Sequence, residues 1–354
     1  RLYNRFEGGD WRYHPPVKPV SGVEAGSEFT VKTLKLPGSG KSLEGLWEFS
    51  SSARDKANNV EPIEEVDTWI IYDFTAPATS VELSGDVGQN GWYVSPVELT
   101  LSPRDPSPYE EEITVSGVAE TQVVIKKAGD PEYFHTVKYD SKDPIVIRFE
   151  NDGEFTVDYL SIDRAQNAEE PKTISFKIDQ TPPTITGNPD RRPNVYGWYN
   201  ADVTVHFEAT DNLSGIASVT ENQVIKTEGV DQSVEGVAVD NAGNSSTAVV
   251  SGINVDKTAP SSQLNGLDPY YNNDPLKDDP IQMFFTASDN LSGLQRIGLY
   301  KRPAGTDLWQ HHWTSKSGST PEVFNVRTLA EGRWEFASKA TDFADNKEGL
   351  PEAA

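Results

Sequence analysis

Carboxylates recur in this chain in three kinds of short phrase. One is Asp-x-Thr-Ala/Pro-Pro, at Asp73, Asp179 and Asp256. A second is the Asp-Asn-Leu-Ser-Gly turn that begins at Asp211 and again at Asp289. In the third a strand-like run ends in an Asp that is followed by a turn rich in Asn, at Asp55, Asp163, Asp240 and Asp342. Two chemistries are open to such residues. Asp and Asn bond their own backbone two residues on and tolerate left-handed conformations, which is plain turn chemistry. Their oxygens, together with backbone carbonyls, are also the donors of a hard cation such as Ca²⁺, which takes about six to eight oxygen ligands. No EF-hand loop or other closed calcium signature is present.

Aromatic residues are the second group. On a strand, Trp309-Gln310-His311-His312-Trp313 would place Trp309, His311 and Trp313 on one face, with Tyr300 on a nearby strand and Tyr270 and Tyr271 upstream. Such rings either stack on sugars as a carbohydrate platform or fill a small sandwich core, as Trp47 and Trp334 are expected to do. Catalytic signatures are missing. The histidines, His14, His135, His206, His311 and His312, form no zinc spacing. No Gly-x-Ser-x-Gly elbow and no phosphate loop occurs. Among 55 acidic residues, chance pairs are too numerous to single out a glycosidase dyad.

Composition narrows the partners. The 354 residues carry 31 Lys+Arg against 55 Asp+Glu, a formal charge of −24, which repels phosphate backbones and anionic lipid surfaces. Nucleic acid is therefore excluded as a partner, and divalent cations and basic surfaces are favoured. With 36% apolar residues and 8 Trp the chain can build packed cores. The absence of Cys rules out disulfides and thiolate sites and leans towards export. No apolar run is long enough for a membrane-spanning helix, and residues 1–20 lack the apolar centre of a signal peptide.

The elements that must position these residues are strands. The Asp-x-Thr-Ala/Pro-Pro phrases each follow a strand-like run, and their prolines, which cannot donate to a ladder, mark strand ends and domain junctions. Gly91-Trp92-Tyr93 and Gly197-Trp198-Tyr199 each open a repeat, followed by runs that alternate with period two, Val97 to Leu101 and Val203 to Phe207. A long stripe with helical period is missing. The expected architecture is all-β, antiparallel sandwiches strung end to end, with units at 1–74, 75–180, 181–257 and 258–354. Similarity of Glu44–Phe49 to Glu331–Phe336 predicts that the first unit lacks its opening strands. Spacing beyond Asp342 predicts that the last lacks part or all of its final strand.

With these phrases in hand the chain resembles the Ig-like repeats of bacterial cell-surface and secreted proteins. The resemblance rests on the junction phrases, the Gly-Trp-Tyr openings, the turns at 209–215 and 287–293, and Val239-Asp240-Asn241-Ala242-Gly243-Asn244. It implies an elongated array of Ig-like sandwiches, an extracellular or cell-surface location, and a non-catalytic role as spacer or adhesive stalk. It also implies that Asp211, Asp240, Asp256, Asp289 and Asp342 are candidate Ca²⁺ ligands that stiffen the junctions, with turn chemistry as the competing reading. The alternative function is the accessory, sugar-binding region of a secreted polysaccharide-degrading enzyme, with Trp309, His311, Trp313 and Tyr300 as the platform. Implied partners are neighbouring domains of a longer chain, a polysaccharide, or a second chain that supplies missing strands.

Overall fold

The structure, a computed structural model, describes residues 2–7, 9, 12–14, 45–52, 57, 59–62, 66–107, 115–130, 133–137, 144–265, 281–316, 323–326, 329 and 331–351. Among them the secondary structure is all strand, with no helix. They fall into two compact units, Arg1–Thr181 with Asn241–Gly243, and Pro182–Asp240 with Asn244–Ala354.

The period-two runs become strands with one face buried. Val203–Thr210 buries Val203, Val205 and Phe207 and exposes His206, so that histidine is an outward strand residue. In Gly153–Asp163 every second residue from Gly153 onward is buried.

These faces close on one another as antiparallel Ig-like sandwiches. In the first unit a three-stranded sheet of Ile145–Phe149, Val97–Arg104 and Ala78–Ser84 lies against a five-stranded sheet. The larger sheet runs in the order Trp92–Tyr93, Lys172–Ile178, Gly153–Asp163, Val118–Lys127 and Tyr133–Val137. Leu99 and Leu101 from one sheet meet Val157, Phe176 and Ile178 from the other in a single core. Each such fully buried side chain stabilises the fold by about 1.5–3 kcal/mol. A separate four-stranded sheet, Arg12–His14, Leu2–Phe6, Gly45–Ser51 and Thr68–Tyr72, precedes this sandwich in the chain.

Two sandwiches make the second unit. One joins Thr184–Pro189, Val203–Thr210 and Gln223–Ile225 to a sheet of Trp198–Tyr199, Ser245–Val255, Gly229–Asp240 and Ile216–Val219. The other joins Ser261–Leu264, Ile281–Ser288 and Val323–Val326 to Gln310–Lys316, Leu294–Pro303 and Trp334–Asp342. Met283, Phe285 and Phe324 pack there against Ile297 and Leu299.

Candidate metal centre

The three kinds of carboxylate phrase converge. One ligand oxygen from each of Asp73, Asp105 and Asp163 lies within 4.8 Å of the others, and the same holds for Asp256, Asp289 and Asp342. Each cluster takes a junction Asp, a turn Asp and an Asp from the end of a long strand, so three separate segments of chain meet at one point.

The local hydrogen bonds are nearly the same in both clusters. The junction carboxylate spans two segments. Asp73 accepts from the amides of Thr75 at 3.1 Å and Ser116 at 2.7 Å. Asp256 accepts from those of Thr258 at 3.1 Å and Ser292 at 2.9 Å. The late Asp is held by the Asn at the far side of its turn: Asn167 donates its backbone and side-chain N–H to Asp163 at 2.8 and 2.7 Å. Asn346 does the same to Asp342, at 2.8 Å for both. The turn Asp uses one oxygen only. Gly117 donates to Asp105 Oδ2 at 2.6 Å, and Gly293 to Asp289 Oδ2 at 2.6 Å. Gly117 at φ 79° and Gly293 at φ 85° occupy the left-handed region that glycine adopts without strain.

The remaining oxygens define what the clusters lack. Oδ1 of Asp105 and Oδ1 of Asp289 are buried without a hydrogen-bond partner. Asp163, Asp256 and Asp342 are wholly buried. Among the described residues no Lys or Arg forms an ion pair with any of the six carboxylates. Two ionised groups at this separation repel by about 3 kcal/mol at an effective dielectric of about 20. A proton or a cation relieves that repulsion. Burial first, and then repulsion from Asp73 and Asp163, pushes Asp105 up to about 6 against the pull of the Gly117 amide. Burial, and then repulsion from Asp256 and Asp289, likewise raises Asp342. A donor set made of carboxylates, with no His or Cys, suits a hard cation and not zinc. These groups of buried acids can hold a metal ion.

Of the Ca²⁺ candidates read from sequence, Asp256, Asp289 and Asp342 come together in one cluster. Asp211 accepts from the amides of Leu213 at 3.0 Å and Gly215 at 2.6 Å, as its counterpart Asp289 does from Leu291 and Gly293. Asp240 accepts from Asn244 N–H at 2.8 Å and from its side-chain amide at 2.9 Å. Asp55 lies outside the described residues. Asp73, Asp105 and Asp163 were not among the candidates. Asp105 escapes because its turn phrase is split: the Gly that binds it stands 12 residues on, against 4 in the turns at Asp211 and Asp289. The Ser116-Gly117 pair ahead of a strand is the trace that remained in the sequence.

The aromatic candidates are divided. Pairing shifts register between Leu299 and Tyr300, so that Tyr300 faces His311 while Leu299 faces Trp313. His312 is the extra residue of this bulge, and it breaks the alternation that would have put His311 and Trp313 on one face. Tyr300 and His311 form an edge contact at 5.4 Å. Trp313 instead packs edge-on at 5.2 Å against the buried Phe324, yet is 46% exposed. Trp309 stands just outside the strand; its indole N–H donates to the Pro351 carbonyl at 2.8 Å, and the Arg302 guanidinium lies 4.2 Å from its ring. Trp47 is buried and Trp334 half-buried. Tyr270 and Tyr271 lie outside the described residues.

No protein-family model matches the chain, and no curated protein matches it. Solved structures similar to it include a tetra-tandem repeat from the extending region of a large adhesion protein, at 16% identity and TM-score 0.31, covering 99% of this chain and 88% of that one. Another is from a 1.5-MDa bacterial ice-binding adhesin, at 14% identity and TM-score 0.30, covering 77% and 95%. A third comprises fibronectin(III)-like modules of Clostridium thermocellum CbhA, at 13% identity and TM-score 0.23, covering 50% and 94%. These are structures of the kind that the sequence phrases resemble. The Ig-like assignment itself rests on the paired sheets and their strand order.

Proposed function

We propose that this chain is a non-catalytic spacer or adhesive stalk segment of a bacterial surface or secreted protein, and that Ca²⁺ bound at its carboxylate clusters stiffens the junctions between repeats. The observation that carries the reading is the buried, unpartnered Oδ1 of Asp105 and of Asp289, each beside two further carboxylates. Turn chemistry accounts for the other oxygens of these residues but leaves these two with nothing to bond. A bound cation supplies the missing partner and neutralises the repulsion.

The clusters are placed where a cation would act on stiffness. Asp256 directly follows the strand Ser245–Val255 and its carboxylate accepts from the Ser292 amide in the turn before Leu294–Pro303, so one ion there would tie two sandwiches together. The turn from Asp342 to Asn346 also docks the preceding repeat. Asn194 donates to the Phe343 carbonyl and to the Asp345 carboxylate, at 2.8 Å for both, and the Tyr196 ring lies 5.0 Å from that of Phe343. The extracellular setting is supported by the repeat phrases and the absence of Cys.

Thermal unfolding with and without Ca²⁺ tests the reading. At about 100 times the dissociation constant, binding adds about 2.7 kcal/mol per site, so a rise in Tm of several degrees over the chelated protein is expected. Solution scattering should show a narrower spread of inter-repeat angles in Ca²⁺. A melt and a scattering curve indifferent to both chelator and Ca²⁺ would refute it.

A further inference from the structure

Strand Ile281–Ser288 buries Ile281, Met283 and Phe285, so Gln282, Phe284 and Thr286 stand on the outer face of its sheet. The ring of Phe284 is 43% exposed there. Ser261–Leu264 pairs alongside with Gln263 opposite Thr286, and the next residue, Asn265, donates its backbone N–H to the Phe284 carbonyl at 2.8 Å. Leu264 packs against the core, while Gln263 and Asn265 on either side of it are exposed on the face of Phe284. Opposed side chains stand about 4.5–5.5 Å apart at Cβ and alternate ones along a strand about 7 Å, so three carboxamides and a hydroxyl flank one aromatic ring. Among the described residues none of these four polar side chains has a hydrogen-bond partner.

Counting back from the turn Asp gives the same strand positions in the two other sandwiches. Before Asp105 they hold Glu98, Thr100 and Ser102, and before Asp211 they hold Thr204, His206 and Glu208. Of the three strands, Ile281–Ser288 is the one that sets an aromatic ring there with no ionisable group beside it. An exposed ring among free amides matches a neutral sugar. The apolar face of a pyranose stacks on the ring, and each carboxamide offers two N–H donors and an acceptor oxygen to its hydroxyls. One ring is too little apolar surface to anchor a protein partner, whose standard interface buries about 800 Å² a side around a cluster of hot-spot residues. The formal charge of −24 disfavours acidic sugars.

We infer that the outer face centred on Phe284 is a binding site for a neutral carbohydrate chain. Phe284 is the stacking ring, and Gln263, Asn265, Gln282 and Thr286 bond the sugar hydroxyls. The aromatic residues singled out in sequence, Tyr300, His311 and Trp313, belong to the other sheet of this sandwich. The site uses no carboxylate, so it stands or falls independently of the cation clusters.

The test titrates the whole chain with cellohexaose, maltohexaose, mannohexaose and chitohexaose, and with hexagalacturonate as the acidic control. Nuclear magnetic resonance follows the side-chain amides of Gln263, Asn265 and Gln282. At least one neutral probe should shift these resonances saturably, equally in chelator and in Ca²⁺, and the acidic probe should not. Phe284→Ala, at a position already exposed, should keep the circular dichroism and melting temperature of the parent and weaken binding about tenfold or more, while Phe284→Trp should retain it. Resonances unmoved by every neutral probe at millimolar concentration, or binding undiminished in Phe284→Ala, would overturn the inference. So would dimerisation of the parent, seen by light scattering and lost in Phe284→Ala, because a second copy would then occupy the face.

Discussion

The side-chain amide of Asn346 donates at 2.8 Å both to the carboxylate of Asp342 and to the backbone carbonyl of Asp256. One side chain thus joins the turn after Trp334–Asp342 to the residue that follows Ser245–Val255. Asn167 makes the same link in the first unit, to Asp163 at 2.7 Å and to the Asp73 carbonyl at 3.2 Å. Asn346→Ala should lower unfolding stability by about 1–3 kcal/mol, because a buried carboxylate and a carbonyl lose their donor. Denaturant titration of the variant in Ca²⁺ and in chelator checks this.

Asp105→Asn and Asp289→Asn have effects of opposite sign in the two conditions. Each removes one charge from a repelling cluster, so the chelated protein should melt at the same temperature as the parent or higher. Each would also remove a ligand of the proposed cation, so the Ca²⁺-dependent gain at that cluster should vanish. Calorimetric melts of both variants with and without Ca²⁺ provide the comparison; a parallel loss of stability in both conditions would mean that these side chains serve the turn alone.

How much of this was legible in sequence depended on the kind of signal. Junctions, openings and turns show as repeated phrases, and the period-two runs announce the strands, so the all-β sandwiches follow from residues such as Val203, Val205 and Phe207. The clusters were half visible. Asp256, Asp289 and Asp342 stand in recognisable phrases, whereas Asp73 reads as punctuation, and an insertion hides the pairing of Asp105 with Gly117. The expected single face of His311 and Trp313 is broken by one bulge at His312, because one extra residue reverses the side chains beyond it.

Glu169 carried no sequence signal at all, being one acid among 55. It stands two residues beyond Asn167, as Glu348 does beyond Asn346, and bridges the two sheets. Glu169 accepts from the amides of Thr79 at 3.0 Å and Ser161 at 2.9 Å, and from Lys172 Nζ at 2.8 Å. Glu348 accepts from the amides of Ser262 at 2.9 Å and Ala340 at 3.0 Å. Glu169→Ala should cost about 2–4 kcal/mol by leaving two strand amides unsatisfied, with Glu169→Gln costing less. Burial acts to raise this carboxyl, but the bonds from Lys172 and Thr79 hold it below its ordinary value. Its contribution is therefore present above the unfolded pKa and fades as pH falls through the lower folded one, a loss that Glu169→Gln should not show.

The raised carboxyl of Asp105 predicts the reverse dependence. With a folded value of about 6 against an ordinary 3.8, the native state binds more protons than the unfolded one between those limits. In chelator the first unit should therefore lose stability as pH rises from about 4 to 6. Ca²⁺ competes with that proton, so its stabilising effect should grow across the same interval. Melts at pH 4, 5, 6 and 7 in chelator and in Ca²⁺ should diverge, and curves that stay parallel would contradict the assignment.

Packing around Phe207 offers a control outside the carboxylate clusters. Gly187 and Gly236 bracket its ring, and a Cβ at residue 236 would stand 2.3 Å from it. Phe207 is 6% exposed and has no room to retreat. Gly236→Ala should cost about 1–3 kcal/mol, read by denaturant titration, with the Ca²⁺ response unchanged.

Calcium titration calorimetry on the whole chain tests the central claim most directly. The parent should bind Ca²⁺ with a measurable heat, Asp105→Asn and Asp289→Asn should each remove one site, and the double variant should remove both. Absence of binding heat in the parent at millimolar Ca²⁺, or undiminished binding in the double variant, would contradict the account.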